Sequence, residues 1–201
     1  MHASDIVAAL NASLPGVSYE TPDAVDQPVL YVPREAFFDT CKALRDIPEL
    51  NFSFLAEMTA VDWWPKEPRF EIVYHFANVG ISDFPFPGAS GAAKRLRVKV
   101  RLHGSDAKLQ TLVPLWPNAN WYEREVYDLF GVVFENHPDL RRILMPDEWE
   151  GHPARKDYPV QVNVPVNFSQ PTQVTEDEFV RNIEAHRVHA GGPGSKRRPG
   201  A

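Results

Sequence analysis

A single cysteine, Cys41, stands in this chain of 201 residues. That scarcity excludes an internal disulfide, an iron–sulfur cluster held by the usual four thiolates, and a cysteine-rich zinc site. Long apolar runs are missing as well. No stretch approaches the ~18–20 residues that a membrane-spanning helix needs. The first five residues lack a basic region followed by an apolar one, so no signal peptide is expected. The chain is expected to be soluble by itself and cytoplasmic. Glycine-rich nucleotide motifs are absent too. No Gly-x-Gly-x-x-Gly follows a strand, no phosphate loop ends in Gly-Lys-Ser/Thr, and no Gly-x-Ser-x-Gly turn occurs. Sites for NAD, flavin or nucleotide are therefore not expected here.

There is no excess of basic charge. Lys and Arg number 21 against 27 Asp and Glu, a net charge of −6, which argues against nucleic acid as the main partner. What is present is 43% hydrophobic and 11% aromatic content, enough to build a core for one domain plus an extension. The 19 prolines gather in loops and in the last third, a composition suited to extended, partner-dependent structure.

Periodicity predicts the elements. Ser4 or Asp5 caps a first helix with Ile6, Leu10 and Leu14 on one face, stopped by Pro15 and Gly16. Residues 29–32 read as a short strand. Pro33 opens a second helix with Phe37, Cys41 and Leu44 along one stripe, where Cys41 reads as a buried small hydrophobe. Residues 52–64 form a strand turning at Pro65. Phe70, Ile72, Tyr74 and Phe76 alternate with Glu71, Val73 and His75. Leu96, Val98, Val100 and Leu102 alternate with Arg95, Arg97, Lys99 and Arg101. These two strands predict an antiparallel hairpin, joined by a loop over 77–93, with one apolar and one charged face. Glu71 is expected to balance the basic strand across it.

Ser105 or Asp106 predicts a helix through Leu109, Leu112 and Val113 to Pro114. Asn120 with Glu123 reads as a capping box for the next helix, with Tyr122, Val126 and Leu129 on one face and Gly131 as its stop. Residues 132–134 read as a short strand. Regular periodicity then ends, apart from a late helix from Thr175 and Glu178 through Phe179 and Ile183. The expected fold is α+β: a mostly antiparallel sheet with helices packed on one face, followed by a long irregular C-terminal extension. The expected divisions are a core at 1–135, a partner-binding segment at 136–189, and a disordered basic tail at 190–201.

Residues 121–159 are the richest part of the chain. Glu123, Arg124, Glu125, Asp128, Asp139, Arg141, Arg142, Arg155, Lys156 and Asp157 are interleaved with Trp121, Tyr122, Tyr127, Phe130, Phe134 and Trp149. Arg and aromatic anchors among charges of both signs suit a surface buried against another protein. A catalytic reading would use Glu123, Asp128 and His137 as acid and base. It competes with helix capping and an Arg124–Asp128 pair four residues apart, which account for the carboxylates without chemistry. His137, Asp139 and His152 lack the spacing of a helical metal site. His186 and His189 sit in a frayed tail. His75 and His103 lie at strand ends as potential neighbours with no third ligand. A nucleic-acid reading rests on Arg95, Arg97, Lys99 and Arg101, which have few aromatics between them.

The run Glu123-Arg124-Glu125, Asp128, Gly131, His137-Pro138-Asp139-Leu140-Arg141-Arg142-Ile143-Leu144, then Gly151 and Arg155-Lys156-Asp157-Tyr158-Pro159, resembles a known family. It is similar to the C component, the 30-kilodalton subunit, of proton-pumping NADH-quinone oxidoreductase, respiratory complex I. Weaker agreement covers Thr59 to Trp63, Tyr74-His75 and Trp116 to Asn120. The resemblance implies a cofactor-free structural subunit of the hydrophilic arm, with FMN and iron–sulfur clusters in partner subunits. It implies packing on the quinone-site component, D, beside the iron–sulfur component, B. It also implies a peripheral place on the cytoplasmic side of the cell membrane, held there through the complex. Photosynthetic-type NDH complexes and membrane-bound hydrogenases use similar chains. The resemblance assigns Glu123, Arg124, Glu125, Asp128, Gly131, His137, Asp139, Arg141, Arg142, Arg155, Lys156 and Asp157 to the subunit interface or its motif.

Overall fold

The computed structural model describes residues 2–78, 94–159 and 180–181. Among the described residues are the helices α1 (Ala3–Ser13), α2 (Phe37–Asp46) and α3 (Ala119–Phe130). With them are the strands β1 (Val29–Tyr31), β2 (Phe54–Asp62), β3 (Phe70–Asn78), β4 (Lys94–Leu102), β5 (Lys108–Gln110) and β6 (Val133–Glu135). The main sheet has the order β1-β4-β3-β2. Its β2–β3 and β3–β4 pairings are antiparallel, and β1 runs parallel to β4. A second sheet pairs β5 with β6 in parallel.

The period-2 pattern in β3 and β4 becomes the register of the hairpin. Met58, Tyr74, Val98 and Leu30 face one another in a row across all four main strands. That row is buried and joins one core cluster with Ile6 and Leu10 of α1, with Phe37, Cys41 and Leu44 of α2, and with Ala119 and Val126 of α3. The three helices thus share one face of the sheet. Phe37 lies against Tyr74 with ring centroids 5.0 Å apart, and Trp116 against Phe76 at 4.7 Å. Each such fully buried side chain contributes roughly 1.5–3 kcal/mol of transfer free energy.

The opposite face carries the charges. Lys99 Nζ is 2.7 Å from Glu71, and the Tyr31 hydroxyl donates to the same carboxylate at 2.9 Å. Arg97 pairs with Asp26 and Arg101 with Glu20. Three cations of the basic strand therefore already have acidic partners. Because β3 is a central strand, Glu71 and Val73 are buried rather than half-exposed.

Several expectations are corrected. Residues 104–113 form no α-helix. A short 3-10 turn at Gly104–Asp106 leads into β5, because Leu109 finds its partner at Phe134 of β6. Capping residues at 105 and 106 lose to this pairing, a tertiary override of local propensity. His75 lies opposite Arg97 in the register and contacts Gln27, whereas His103 lies beyond β4 beside Glu67, so the two are not neighbours. One compact unit runs from Met1 to Tyr158. Residues 136–158 contain neither helix nor strand, as expected, yet their polar groups are tied to the core.

Pro159–Ala201 form a separate unit. Within it Val180 and Arg181 are helical. The other residues of the expected late helix, the basic tail and most of the loop over 77–93 lie outside the described residues. Among the described residues, no helix is long and apolar enough to cross a membrane.

Candidate functional site

The free edge of β2 meets the segment that introduces α3. Trp116 Nε1 donates to the Ser53 carbonyl at 3.2 Å, Asn118 Nδ2 to Leu55 at 2.7 Å, and the Tyr122 hydroxyl to Ala56 at 3.0 Å. Side chains thereby satisfy edge carbonyls that would otherwise invite another strand. They also fix the position of α3, which begins at Ala119 with Asn118, not Asn120, as the preceding residue.

Glu123 is fully buried and does not cap its own helix. One carboxylate oxygen accepts from the Thr111 hydroxyl at 2.5 Å and the other from the Leu112 N–H at 2.7 Å. It thus ties α3 to the segment after β5. Burial drives the Glu123 pKa up to about 7, against the two hydrogen bonds that favour its charge. His137 Nε2 approaches the same carboxylate at 3.8 Å and the Asn120 carbonyl at 3.3 Å. Its Nδ1 accepts the Asp139 N–H at 3.0 Å, which places the ring proton on Nε2. Burial keeps His137 below the usual histidine range. The Tyr74 hydroxyl is buried and has no hydrogen-bond partner among the described residues. Burial first, then the Glu123 charge, raises its pKa.

One turn further along α3, Asp128 organises the loop that follows. Its Oδ2 accepts three successive backbone N–H groups, Ile143 at 3.0 Å, Leu144 at 2.8 Å and Met145 at 2.9 Å. Its Oδ1 pairs with Arg142 at 2.7 Å. Burial opposes the Asp128 charge, but these donors together hold its pKa below the ordinary value. Arg142 continues to the carbonyls of Trp149 and Gly151. Arg124 does not pair with Asp128. Its guanidinium donates to the Arg141 and Arg142 carbonyls and lies 5.3 Å from the Trp121 ring centroid. Glu125 is exposed, so it does not share the buried face of Asp128.

Gly131 ends α3 at φ +73°, the left-handed conformation that glycine adopts without penalty. A Cβ there would collide with the Arg155 guanidinium. Arg155 Nε donates to the Phe130 carbonyl at 2.5 Å, and His152 Nδ1 bonds the Asp128 carbonyl at 2.9 Å. The far end of the loop returns to the main sheet. Arg69 forks onto Asp62 through Nε at 3.0 Å and Nη2 at 2.9 Å, and reaches Asp157 at 3.0 and 2.6 Å. The Lys156 N–H also donates to Asp62 at 2.9 Å. Burial of Asp62 is outweighed by Arg69 and by the Lys156 and Trp64 N–H groups, and its pKa falls to about 2. Asp139 and Arg141 form an exposed surface pair at 2.9 Å.

The structure thus joins almost every residue singled out in 121–157 into one network. Arg142, Arg155 and Asp157 make their polar contacts within the chain. Arg69, Asp62 and Thr111 were missing from the sequence-derived set. Arg69 was detectable as a charged residue pressed between Pro68 and Phe70 at the start of a strand. The acid–base triad does not assemble. Glu123 and the His137 side chain are sealed from solvent, and Asp128 is engaged with Arg142. Among the described residues, no group of three or more His, Cys, Asp or Glu is arranged to hold a metal ion.

Within this α+β module, buried carboxylates lock α3 in place, Glu123 to the segment after β5 and Asp128 to the loop that follows the helix. The family model described as respiratory-chain NADH dehydrogenase, 30 Kd subunit, matches residues 30–164. The chain belongs to that family. It is 40% identical over 155 residues to the C component of NADH-quinone oxidoreductase of Roseiflexus sp. strain RS-1, covering 77% of this chain and 83% of that one. The joint C/D component of the Azotobacter vinelandii oxidoreductase is 35% identical over 187 residues, covering 88% of this chain and 30% of that longer one. Among solved structures, a trypsin-resistant fragment of Nqo5 superimposes with TM-score 0.53 at 32% identity, over 68% of this chain and 98% of the fragment. A chain of an archaeal membrane-bound sulfane sulfur reductase superimposes with TM-score 0.60 at 28% identity, over 78% and 85%.

Proposed function

We propose that this chain is a structural subunit of the peripheral arm of proton-translocating NADH-quinone oxidoreductase, carrying no redox cofactor of its own. In this reading FMN and the iron–sulfur clusters belong to partner subunits. The chain supports electron transfer from NADH to quinone by seating the quinone-site component, D, with the iron–sulfur component, B, next to it. It is held on the cytoplasmic side of the cell membrane through the complex.

The observation that carries the proposal is the contrast along α3 and its loop. Its buried carboxylates Glu123 and Asp128 are engaged internally, while Trp121 is 62% and Leu144 60% exposed. Arg141, its side chain 71% exposed, lies in the same loop, with Arg124 spanning between it and the Trp121 ring. Trp and Arg on a rigid support are the residues that dominate protein–protein hot spots. The Azotobacter relative, named as C and D together, supports D as the partner. Tethering two modules in one chain raises the effective concentration of one for the other.

Affinity purification of the tagged full-length chain from its own host tests this. The expected result is recovery with a membrane assembly that contains flavin and iron–sulfur clusters and oxidises NADH with quinone. Recovery alone, or with an assembly lacking those groups, overturns it. Likeness to the sulfane sulfur reductase chain favours a second reading, the equivalent subunit of a related respiratory membrane complex. That reading predicts recovery with an assembly that does not oxidise NADH.

A further inference from the structure

A second surface lies at the turn joining β2 and β3. Trp63 and Trp64 are adjacent there and 45% and 47% exposed, unlike the buried aromatics of the core. The turn is rigidly built. The Trp63 N–H donates to the Arg69 carbonyl at 2.7 Å, the Lys66 N–H to Trp63 at 2.9 Å, and the Trp64 N–H to Asp62 at 3.0 Å. The other oxygen of Asp62 takes the Lys156 N–H at 2.9 Å. One buried carboxylate therefore brings Lys156 beside the tryptophan turn. The Arg69 guanidinium lies 4.9 Å from the Trp64 ring centroid and holds that ring from behind.

The carboxylates at this turn all have donors within the chain. Buried Asp62 and partly exposed Asp157 pair with Arg69, and exposed Glu67 accepts from the N–H groups of Arg69 and Gly104 and faces His103. Lys66 and Lys156 are exposed, and neither ammonium group has an ion-pair partner among the described residues. The turn thus offers two exposed indole rings together with two lysines that have no ion-pair partner among the described residues, whereas its carboxylates already have donors. On β4 the half-buried Arg97 and the exposed Arg101 have acidic partners.

We propose that the Trp63–Trp64 turn with Lys66 and Lys156 is a second docking site, which receives an acidic segment of a neighbouring protein subunit. Its carboxylates face the two lysines, and its apolar side chains cover the indoles. The inference rests on the reading of the chain as a subunit of a larger complex. Lys ammonium groups act as point charges toward carboxylates, and Trp supplies contact area at low cost in conformational entropy. An anionic bilayer is a poorer occupant. Surface anchoring draws on clusters of about 4–8 basic residues, whereas this turn has two on a chain of net charge −6.

The test places the photo-crosslinking residue benzoylphenylalanine at position 63 of the full-length chain in its own host. Irradiation of the purified assembly is followed by mass spectrometry of the adduct. The expected adduct is a peptide of another subunit with Asp or Glu within a few residues of the joined position. An adduct to lipid, to a second copy of this chain or to a segment without acidic residues overturns the proposal, as does no adduct in an intact assembly. In parallel, Lys66→Gln with Lys156→Gln should leave the isolated chain's Tm unchanged. The double variant should lower the yield of assembly at low salt, on the order of threefold to tenfold, with the difference from wild type shrinking as salt rises, as expected for a charged rim. Unchanged yield also overturns the proposal. The wild-type purification separates the two ideas. If the NADH-oxidising assembly is recovered and the adduct is wrong, only the second docking site fails. If no assembly is recovered, both fail.

Discussion

Asp128 and Arg142 are ion-paired at 2.7 Å across the junction of α3 with its loop, and the other Asp128 oxygen gathers the N–H groups of Ile143, Leu144 and Met145. Asp128→Ala leaves a cation and three donors without their acceptor. The expected loss of stability is about 3–5 kcal/mol, the range for breaking a buried pair from one side. Limited trypsin digestion should then cut first after Arg141 and Arg142. An unchanged Tm and cleavage map would refute the anchoring role.

Glu123 gives stability an unusual pH dependence. Its pKa is raised to about 7 from the ordinary 4.5, so between these values the folded chain holds a proton that the unfolded chain has released. The stabilisation it contributes is complete below about pH 4.5 and is lost as pH rises through about 7. At roughly 1.4 kcal/mol per pH unit, the span corresponds to roughly 3 kcal/mol. Glu123→Gln keeps an acceptor for the Leu112 N–H and removes the charge. Urea unfolding between pH 5 and pH 8 should show a falling stability in the wild-type chain and a flatter line in the variant. Parallel slopes would contradict the assignment.

Asp62 works in the opposite direction. Its pKa, lowered to about 2, contributes stability that is present above the ordinary value of 3.8 and lost as pH falls through about 2. Arg69→Ala should cost about 3–5 kcal/mol by stranding Asp62. Arg69→Lys should restore less than half of it, because an ammonium group cannot fork onto Asp62 and Asp157 together. Denaturant titrations at pH 7 measure both, and full recovery by lysine would exclude the forked geometry as the cause.

Arg141 and Arg142 are neighbours with different tasks. Arg142 bonds Asp128, Trp149 and Gly151, whereas Arg141 has only an exposed pair with Asp139. Arg141→Ala should change the Tm of the free chain little, since exposed pairs contribute about 0–1 kcal/mol. It should nevertheless reduce the assembled complex on blue-native gels, with turnover per remaining complex preserved. Arg142→Ala should lower both Tm and assembly. Full assembly with lost turnover in Arg141→Ala would point to chemistry instead of docking.

The sequence revealed what depends on short-range pattern. Alternation at 70–76 and 96–102 specified the hairpin, the spacing of Phe37, Cys41 and Leu44 specified the buried face of α2, and Gly131 marked the end of α3. The failures share a cause in long-range partners. Leu109 pairs with Phe134, so a capping signal at Ser105 and Asp106 came to nothing. Glu123 stands where a capping box would place it, yet its acceptors serve Thr111 and Leu112 in another element. Asp62, Arg69 and Asp157 converge from three separated positions, a juxtaposition that no local spacing encodes. The candidate site was recognised by its residues, but the bonds among them required the fold.

The loop after β6 is fastened at intervals: His137 on Asn120, residues 143–145 on Asp128, His152 on the Asp128 carbonyl, and Arg155 on Phe130. Those fastenings act as a gauge of chain length. An extra residue between His137 and Arg142 shifts the three donors past their acceptor, and no nearby slack absorbs it. Asp147 and Glu148 are exposed within the turn closed by Trp149 on Pro146, and their side chains touch none of these fastenings. A tag or reporter inserted at that turn is therefore expected to leave α3 and its loop in register.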